Sequence, residues 1–158
     1  MSADSNLKLD AQLCFALYAA SNAMTRLYRD KLEPLGLTYP QYLVLLVLWE
    51  QDGLPGPGLT VKQLGERLHL DSGTLTPMLK RMEIAGLLTR QRDGQDERLV
   101  RIALTQAGRD LKTGVAAMKE GLSCLLPLPG RDIARLRTEL QGLAAALHSL
   151  PPPGDSPR

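Results

Sequence analysis

The sequence predicts a mostly α-helical fold with one small β-hairpin. Three observations support this prediction. Apolar residues recur at helical spacing over most of the chain, and the period changes to two over a short central stretch. Pro and Gly residues stand where one periodic segment gives way to the next. Taken in order, the segments read α-α-α-α-β-β-α-α.

The composition is typical of a single globular domain. Of 158 residues, 44% are hydrophobic, 23% are charged and only 4% are aromatic, so the core is expected to consist mainly of Leu, Ala, Val and Met. No apolar run reaches the ~18 residues that cross a bilayer, and the N-terminus lacks the layout of a secretory signal. These patterns predict a soluble, cytoplasmic protein with no membrane partner.

Capping residues mark the four helices that precede the hairpin. Asp10, Thr38, the pair Thr60 and Gln63, and Asp71 or Ser72 are the expected N-terminal caps. The helices are expected at 11–33, 41–51, 60–68 and from the last cap to about 85, with a loop at 52–58 (DGLPGPG) and a stop at Gly86. Pro77 lies just beyond the first turn of the fourth helix, so we expect a slight distortion or a later cap.

Two short strands and two further helices complete the pattern. Strands at 87–92 and 98–104 bracket a polar tip at 93–97, which contains the turn-forming pair Asp93-Gly94. Thr105 is expected to cap a long helix that reaches about Leu126, and a last helix covers roughly 131–150. The Pro-rich tail 151–158 is predicted to be disordered.

Two short helices joined by a short turn and followed by a hairpin form a winged helix-turn-helix. In that fold the second helix enters the major groove of DNA, with its N-terminal residues at the base edges. Lys and Arg outnumber Asp and Glu over 60–101, whereas the reverse holds for 1–59. The pattern therefore predicts binding to double-stranded DNA. The alternative is a protein-binding module with a surface hairpin.

The predicted DNA contacts lie on the fourth helix and beside the hairpin tip. Small polar side chains at the start of that helix suit the approach of phosphates, because free N–H groups there favour anions. Basic side chains follow one or two turns later and flank the tip. The residues are Ser72, Gly73, Thr74, Thr76, Lys80, Arg81, Arg92 and Arg98, and Arg90 and Arg101 flank the tip as well.

The helices outside this domain carry wide apolar stripes that need cover, such as Leu13 and Leu17 in the first helix and Leu136, Leu140 and Leu147 in the last. A two-fold homodimer would cover them and place two recognition helices on a pseudo-palindromic operator. The predicted divisions are an N-terminal dimerisation helix (1–36), the winged helix-turn-helix (37–104), C-terminal dimerisation helices (105–150) and the tail (151–158).

Two cysteines, Cys14 and Cys124, offer no disulfide framework and no metal-site spacing with the two histidines, so neither a metal nor another cofactor is predicted. Cys14 follows Asp10 by one turn, where the helix dipole favours a thiolate, whereas its apolar neighbours favour the thiol. A buried structural role stays open for both cysteines. A disulfide between them requires Cα atoms within about 7 Å.

Several segments resemble the MarR family of transcription regulators. Asp96-Glu97-Arg98 in the hairpin, followed by Leu104-Thr105 and Gly108, is similar to the wing signature of that family, which adds Asp96 to the DNA-binding set. The segments LCFALY (13–18), LTYPQY (37–42) and LDSGTLTPMLK (70–80) resemble, more narrowly, the organic hydroperoxide resistance regulators (OhrR). The similarity covers about 7–150. The chain departs from it at 54–59, which looks like an insertion, and in the tail.

The resemblance implies a repressor that senses organic hydroperoxides through Cys14, whose thiolate becomes a sulfenic acid. Cys124 stands where two-cysteine members keep their resolving residue, which implies a Cys14–Cys124 disulfide. Tyr18, Tyr28 and Tyr39 match the tyrosines that hydrogen-bond the reactive sulfur. Oxidation would release the operator and derepress peroxide-detoxification genes.

The spacing of Cys14 and Tyr28 bears on this site. They lie 14 residues apart on one predicted helix, so their Cα atoms stand roughly 21 Å apart and Tyr28 can reach that sulfur only from a partner subunit. Two alternatives remain: a MarR-type repressor gated by a non-covalent aromatic ligand, and a thiol peroxidase. No histidine or obvious general base supports turnover at Cys14, so we predict a regulator and not an enzyme.

Overall fold

The structure, a computed structural model, describes residues 7–150, and the tail 151–158 predicted to be disordered lies outside them. Within that range the helices are α1 (Leu13–Leu32), α2 (Tyr39–Gln51), α3 (Val61–Leu68), α4 (Ser72–Ile84), α5 (Gln106–Ser123) and α6 (Gly130–His148). The strands are β1 (Leu59–Thr60), β2 (Leu88–Arg92) and β3 (Val100–Leu104). The chain forms two compact units, divided between Lys119 and Glu120 inside α5. The functional divisions stated above stay predictions.

Reciprocal capping boxes open α2 and α3, as predicted for α3. The Thr38 N–H donates to Gln41 Oε1 at 2.9 Å, and the Thr60 N–H donates to Gln63 Oε1 at the same distance. In each box the threonine hydroxyl accepts the N–H of the glutamine. Backbone donors at the helix start that have no partner inside the helix are satisfied in this way, so both helix starts are well defined.

The predicted start of α1 is wrong. Asp10 lies in a single 3₁₀ turn, Leu9–Ala11, which the Gln12 N–H closes by donating to the Leu9 carbonyl at 3.0 Å. Gln12 is extended (φ −89°, ψ 119°), and this interrupts any helix that begins at residue 11. The helix starts at Leu13, and the Gln12 side chain makes no capping bond to it.

The turn between α3 and α4 is closed at Gly65, whose carbonyl accepts the Leu70 N–H at 3.0 Å, while His69 adopts the left-handed region (φ 54°). Asp71 caps α4 by accepting the Thr74 N–H at 2.8 Å. The helix continues through Pro77, so the alternative of a later cap is wrong. It stops as predicted at Gly86, which has a φ of 73°.

The wing is a three-stranded antiparallel sheet in the order β1-β3-β2. The predicted hairpin is present, with Arg90 opposite Ile102 and Arg92 opposite Val100. β1, which pairs Leu59 with Ile102, is not predicted by the sequence pattern. At the tip the chain turns around the Asp93 carboxylate, which accepts the N–H groups of Gln95 and Asp96, and Gly94 is not left-handed.

The core of the first unit lies between α2, the two helix-turn-helix helices and the sheet. Helix α2 is buried almost all round, as its apolar sequence predicts. Trp49 on α2 donates its indole N–H to the Gly108 carbonyl at 2.9 Å and so ties α2 to the start of α5. The fully buried side chains are Leu32, Val44, Leu45, Leu64, Leu75, Leu79, Met82, Leu88 and Ile102.

The last two helices follow the predicted order with shifted ends. The Thr105 hydroxyl accepts the Gly108 N–H at 3.1 Å and so caps α5, as predicted. That helix ends at Ser123, three residues before the predicted end. Helix α6 has no buried residue within the chain. Between residues 7 and 150, every helix is too short or too polar to span a bilayer.

Candidate functional site

The exposed face of α4 carries most of the side chains predicted to read DNA. Leu75, Met78, Leu79 and Met82 anchor the opposite face in the core. Ser72 and Gly73 in the first turn and Lys80 and Arg81 beyond it are exposed, whereas Thr76 is half-buried. The first turn and the basic residues therefore share one accessible surface of the helix.

The Asp71 carboxylate fixes the first turn of α4. Its Oδ1 accepts the Thr74 N–H, and its Oδ2 accepts the Thr74 hydroxyl at 2.9 Å. These two bonds hold the pKa of Asp71 below its ordinary value. The Thr74 hydroxyl is thus committed to the cap. The backbone of Thr74 forms the start of the helix together with Ser72 and Gly73.

The four arginines around the wing fall into two pairs with different roles. Arg90 donates to Glu83 on α4 through its Nε at 2.9 Å, which lowers the pKa of that carboxyl, and Arg101 forms an ion pair with Asp93. Arg92 is exposed, and the side chain of Arg98 is 94% exposed. Arg90 therefore ties the wing to α4 and Arg101 binds within the wing, while the two arginines in the predicted DNA-binding set are exposed.

Asp96 lies at the exposed tip with its side chain turned back to the chain. Its Oδ1 accepts the backbone N–H of Arg98 at 3.0 Å, and the Arg98 guanidinium lies 3.9 Å from the same oxygen. Asp96 therefore shapes the backbone that carries Arg98.

Cys14 is the second residue of α1 and is exposed. The prediction that it lies one turn inside the helix is wrong because the helix starts at Leu13. Tyr18 follows one turn later on the same face of α1 and is 64% exposed. The sulfur therefore faces solvent in the single chain, beside one of the three predicted tyrosines.

Cys124 is also an exposed free thiol, and it directly follows the last residue of α5. The prediction that it lies in the last turn of that helix is wrong by one residue. A buried structural role is incompatible with the exposure of either cysteine in this chain.

Three tyrosine rings meet where α1 faces the start of α2. The ring centroids of Tyr28 and Tyr39 are 5.2 Å apart, and those of Tyr28 and Tyr42 are 5.5 Å apart. Tyr28 and Tyr39 are among the tyrosines predicted for the sulfur pocket, whereas Tyr42 is not. The signal was available, since Tyr39 and Tyr42 stand three residues apart on one helix and so share a face.

Burial raises the pKa values of Tyr39 and Tyr42, and the proximity of Tyr28 raises both further. A hydrogen bond to Tyr28 adds to the effect at Tyr42. The Tyr39 hydroxyl therefore keeps its proton at neutral pH and can donate a hydrogen bond to an acceptor such as a thiolate or sulfenate, whereas the buried Tyr42 hydroxyl is already bonded to Tyr28. Tyr28 lies on α1 with Cys14, roughly 21 Å along the helix from it.

Comparison with known proteins assigns this chain to a family. A family model described as transcriptional regulator SarA/Rot matches residues 26–115. The organic hydroperoxide resistance transcriptional regulator of Bacillus subtilis (strain 168) is 49% identical over 143 residues, which cover 90% of this chain and 94% of that protein. The chain belongs to the MarR family of transcription regulators, in the organic hydroperoxide resistance group. The predicted resemblance is confirmed.

Solved structures of MarR-type regulators share the fold. AbfR of Staphylococcus epidermidis, reduced and bound to DNA, has a TM-score of 0.76 at 35% identity over 93% of this chain and 97% of that one. Disulfide-formed AbfR has a TM-score of 0.61 at 38% identity over 89% of this chain and 96% of that one. The predicted winged-helix fold is confirmed. The relatives are transcriptional regulators, and this confirms the prediction that the chain is not an enzyme.

Proposed function

We propose that this regulator is a homodimeric repressor that binds double-stranded DNA when reduced and releases it when an organic hydroperoxide oxidises Cys14. One observation carries the proposal: in a member of the hydroperoxide resistance group, the Leu13-Cys14-Phe15 cysteine is an exposed thiol in the first turn of α1. Peroxides react with accessible thiolates, so exposure is the first requirement for a sensor.

The first chemical step is a transfer of oxygen to sulfur. The Cys14 thiolate attacks the terminal oxygen of the hydroperoxide, the O–O bond breaks, and the alkoxide leaves as an alcohol after it takes up a proton. The sulfur becomes a sulfenic acid. Peroxide is the oxidant, and one equivalent is consumed for each sensor thiol.

The second step is resolution by Cys124. Its thiolate attacks the Cys14 sulfenic acid, an S–S bond forms as the S–O bond breaks, and the hydroxide leaves as water after it takes up a proton from solvent. The exposure of both thiols supports this order of events, and so does the existence of AbfR both reduced on DNA and disulfide-formed. Thioredoxin-like dithiols or small thiols would reduce the disulfide and return the repressor to its DNA-binding state.

A dimer is needed to complete the sulfur pocket. Tyr18 lies on the same α1 face as Cys14, whereas Tyr28, Tyr39 and Tyr42 cluster near the far end of that helix. We infer that Tyr28 and Tyr39 of one subunit donate hydrogen bonds to the Cys14 sulfur of its partner. The raised pKa of Tyr39 agrees with a donor role, since its hydroxyl stays protonated, while the buried Tyr42 hydrogen-bonds to Tyr28 within the cluster.

The proposed DNA interface is the exposed face of α4 together with the wing. Helix α4 would enter the major groove, and the wing arginines would follow the backbone into the adjacent minor groove. Two copies related by a two-fold axis would read a pseudo-palindromic operator. The proposed contacts are Ser72, Gly73, Thr74, Thr76, Lys80, Arg81, Arg92 and Arg98, with Asp96 holding the wing tip.

Replacement of Cys14 tests the switch. The reduced protein first selects an operator from a random-sequence duplex library, and fluorescence anisotropy then measures binding with and without cumene hydroperoxide. We expect Cys14→Ser to bind the operator as tightly as the wild type and to stay bound after peroxide. Cys124→Ser is the matched control: it is expected to gain one oxygen in intact mass, whereas the wild type loses two hydrogens.

The outcomes separate the candidate functions. Release of DNA by peroxide from Cys14→Ser would contradict the sensor role. Release by an aromatic carboxylate from both cysteine variants would indicate a ligand-gated repressor instead. Turnover of many peroxide equivalents per protein would indicate a peroxidase.

A further inference from the structure

Arg101 on β3 bonds to two other segments of the chain. Its Nε pairs with Asp93 Oδ2 at the start of the wing tip, and its Nη1 donates to the Gly58 carbonyl at 2.9 Å. The side chains of Arg101 and Asp93 are only 24% and 11% exposed. A guanidinium held by acceptors on two segments fixes their relative position, because its donors lie in one rigid plane.

The Asp93 end of this contact controls the wing tip. While Oδ2 receives Arg101, Oδ1 accepts the N–H groups of Gln95 and Asp96 at 2.8 and 3.0 Å. These donors, Arg101 first among them, hold the pKa of Asp93 at about 2. The carboxylate is therefore charged at every pH at which the protein would bind DNA, and the turn that leads to Arg98 is built around it.

The Gly58 end belongs to the 52–58 loop, which is tied at both ends. Asp52 accepts the Arg109 guanidinium at 2.9 and 3.0 Å. At the other end Gly58 has a φ of 78°, and a Cβ there would lie 3.2 Å from the Ile102 carbonyl oxygen. The loop then passes directly into β1, which pairs with β3. Because both of its ends are held, this loop can serve as a support for the neighbouring wing.

The two outward arginines depend on the tip for their position. Arg92 ends β2 and Arg98 follows the turn, and neither is tied to the body of the unit in the way that Arg90 is tied to Glu83. β1 pairs with β3 only as far as Thr60 opposite Arg101, so nearer the tip the wing has two strands, and two strands alone are marginally stable. Without a support the tip would sample many positions, and the entropy of ordering it would oppose DNA binding.

We propose that Arg101 is a positioning residue for DNA binding: by joining the Asp93 turn to the Gly58 carbonyl it holds the wing tip in the conformation that presents Arg98 to the phosphate backbone. The inference rests on the proposed function, in which the wing contacts DNA. Arg101 itself makes no DNA contact in this account, and it acts through Arg98.

A double-mutant cycle tests this chain of action. Operator binding by the reduced protein is measured for Arg98→Ala, Arg101→Gln and the double variant over a range of salt concentrations. We expect each single change to weaken binding by roughly tenfold and to reduce the salt slope by about two, since each removes the same phosphate contact from both subunits of the proposed dimer. The double variant should bind about as tightly as the weaker single variant.

Two further variants serve as a partial rescue and as a control. Arg101→Lys can reach one acceptor but not both, so it should restore part of the lost affinity. Arg135→Gln, on α6, is the matched control for loss of an exposed, ion-paired arginine, and we expect wild-type affinity and salt slope. Thermal unfolding followed by circular dichroism shows whether each variant is folded. If Arg101→Gln does not fold, the cycle is run with Arg101→Lys.

If Arg101→Gln binds with wild-type affinity and salt slope, the positioning role is wrong. It is also wrong if the affinity losses of the two single variants multiply in the double variant. A normal response to peroxide in those variants would leave the proposed function intact. No loss in Arg98→Ala would remove the proposed wing contact and this inference with it. Failure of the reduced wild type to select any DNA would contradict the proposed function itself.

Discussion

Single residues decide how the tyrosine cluster responds to pH. Tyr42 is buried and hydrogen-bonded to Tyr28, and its pKa lies well above the ordinary tyrosine value of about 10. The folded protein therefore keeps this proton at pH values where the unfolded chain loses it. The resulting contribution to stability is fully present below about pH 10 and is lost as the pH rises toward the folded-state pKa.

Replacement of Tyr42 by Phe should show both parts of this effect. At neutral pH we expect the free energy of unfolding to fall by about 1 kcal/mol, because the Tyr28–Tyr42 hydrogen bond is lost. Between about pH 9 and about pH 11 the variant should lose stability less steeply than the wild type. Urea denaturation at a series of pH values measures both. Tyr18→Phe, at an exposed ring, is the control, and an unchanged alkaline slope in Tyr42→Phe would contradict the argument.

Residue contacts that are local in sequence could be predicted, and distant ones could not. The Thr60–Gln63 box and the Asp71 cap involve residues at most four positions apart, so the side-chain chemistry alone indicates them. The Arg101–Gly58 bond joins residues 43 positions apart. Nothing in the pattern around Arg101 distinguishes it from Arg98, although one is held inside the wing and the other is exposed.

At the scale of elements, the helix-turn-helix depends on a close approach at Gly65. This residue is buried in α3, and a Cβ there would lie 2.6 Å from the Leu70 carbonyl oxygen and 3.2 Å from Leu75 Cδ1. The backbone of the turn and the first core residue of α4 thus pack directly on α3. The angle between the two helices requires a residue without a side chain at this position.

Gly65→Ala should therefore destabilise the protein even though alanine is the better helix former. Overpacking costs about 1–3 kcal/mol. Because the 2.6 Å contact is with a backbone oxygen, we expect the upper end of that range, which exceeds the gain in helix propensity of about 1 kcal/mol. Gly142→Ala on α6 is the matched control, since a Cβ there meets nothing within 4 Å, and we expect stabilisation by about 1 kcal/mol. Urea denaturation of both variants measures the change in the free energy of unfolding, which should be negative for Gly65→Ala and positive for Gly142→Ala. Stabilisation by Gly65→Ala would refute the close approach.

Element types and order were largely predictable, whereas short or interrupted elements were not. Helix α2 and the hairpin are each indicated by several residues, so a single residue that does not fit the pattern does not change the predicted element. β1 has only two residues and exists because β3 offers it a partner. The start of α1 was misplaced because Asp10 is a suitable cap by type, while the extended backbone at Gln12 leaves no signal in the sequence.

At the scale of the whole molecule, apolar side chains remain exposed in both compact units. Helix α6 has no buried residue, and its apolar residues Ile133, Leu136, Leu140, Leu143 and Leu147 follow the three- and four-residue spacing of a helix–helix seam. In the first unit Leu13 is 63% exposed. Apolar seams of this kind favour association in water, and the pocket proposed for Cys14 requires a second subunit.

Leu140→Asp places a charge in the middle of the α6 seam and should convert the proposed dimer to monomers. Thr138→Asp puts the same side chain on the opposite, exposed face of the helix and should leave the dimer intact. Sedimentation equilibrium measures the mass of each variant.

Because a dimer binds both half-sites of an operator at once, the Leu140→Asp monomer should lose roughly a hundredfold or more in affinity. It should also lose the tyrosine donors that we propose the partner supplies, so the rate at which peroxide oxidises Cys14 should change. A Leu140→Asp protein that sediments as a dimer and binds its operator normally would show that the α6 seam is not the interface.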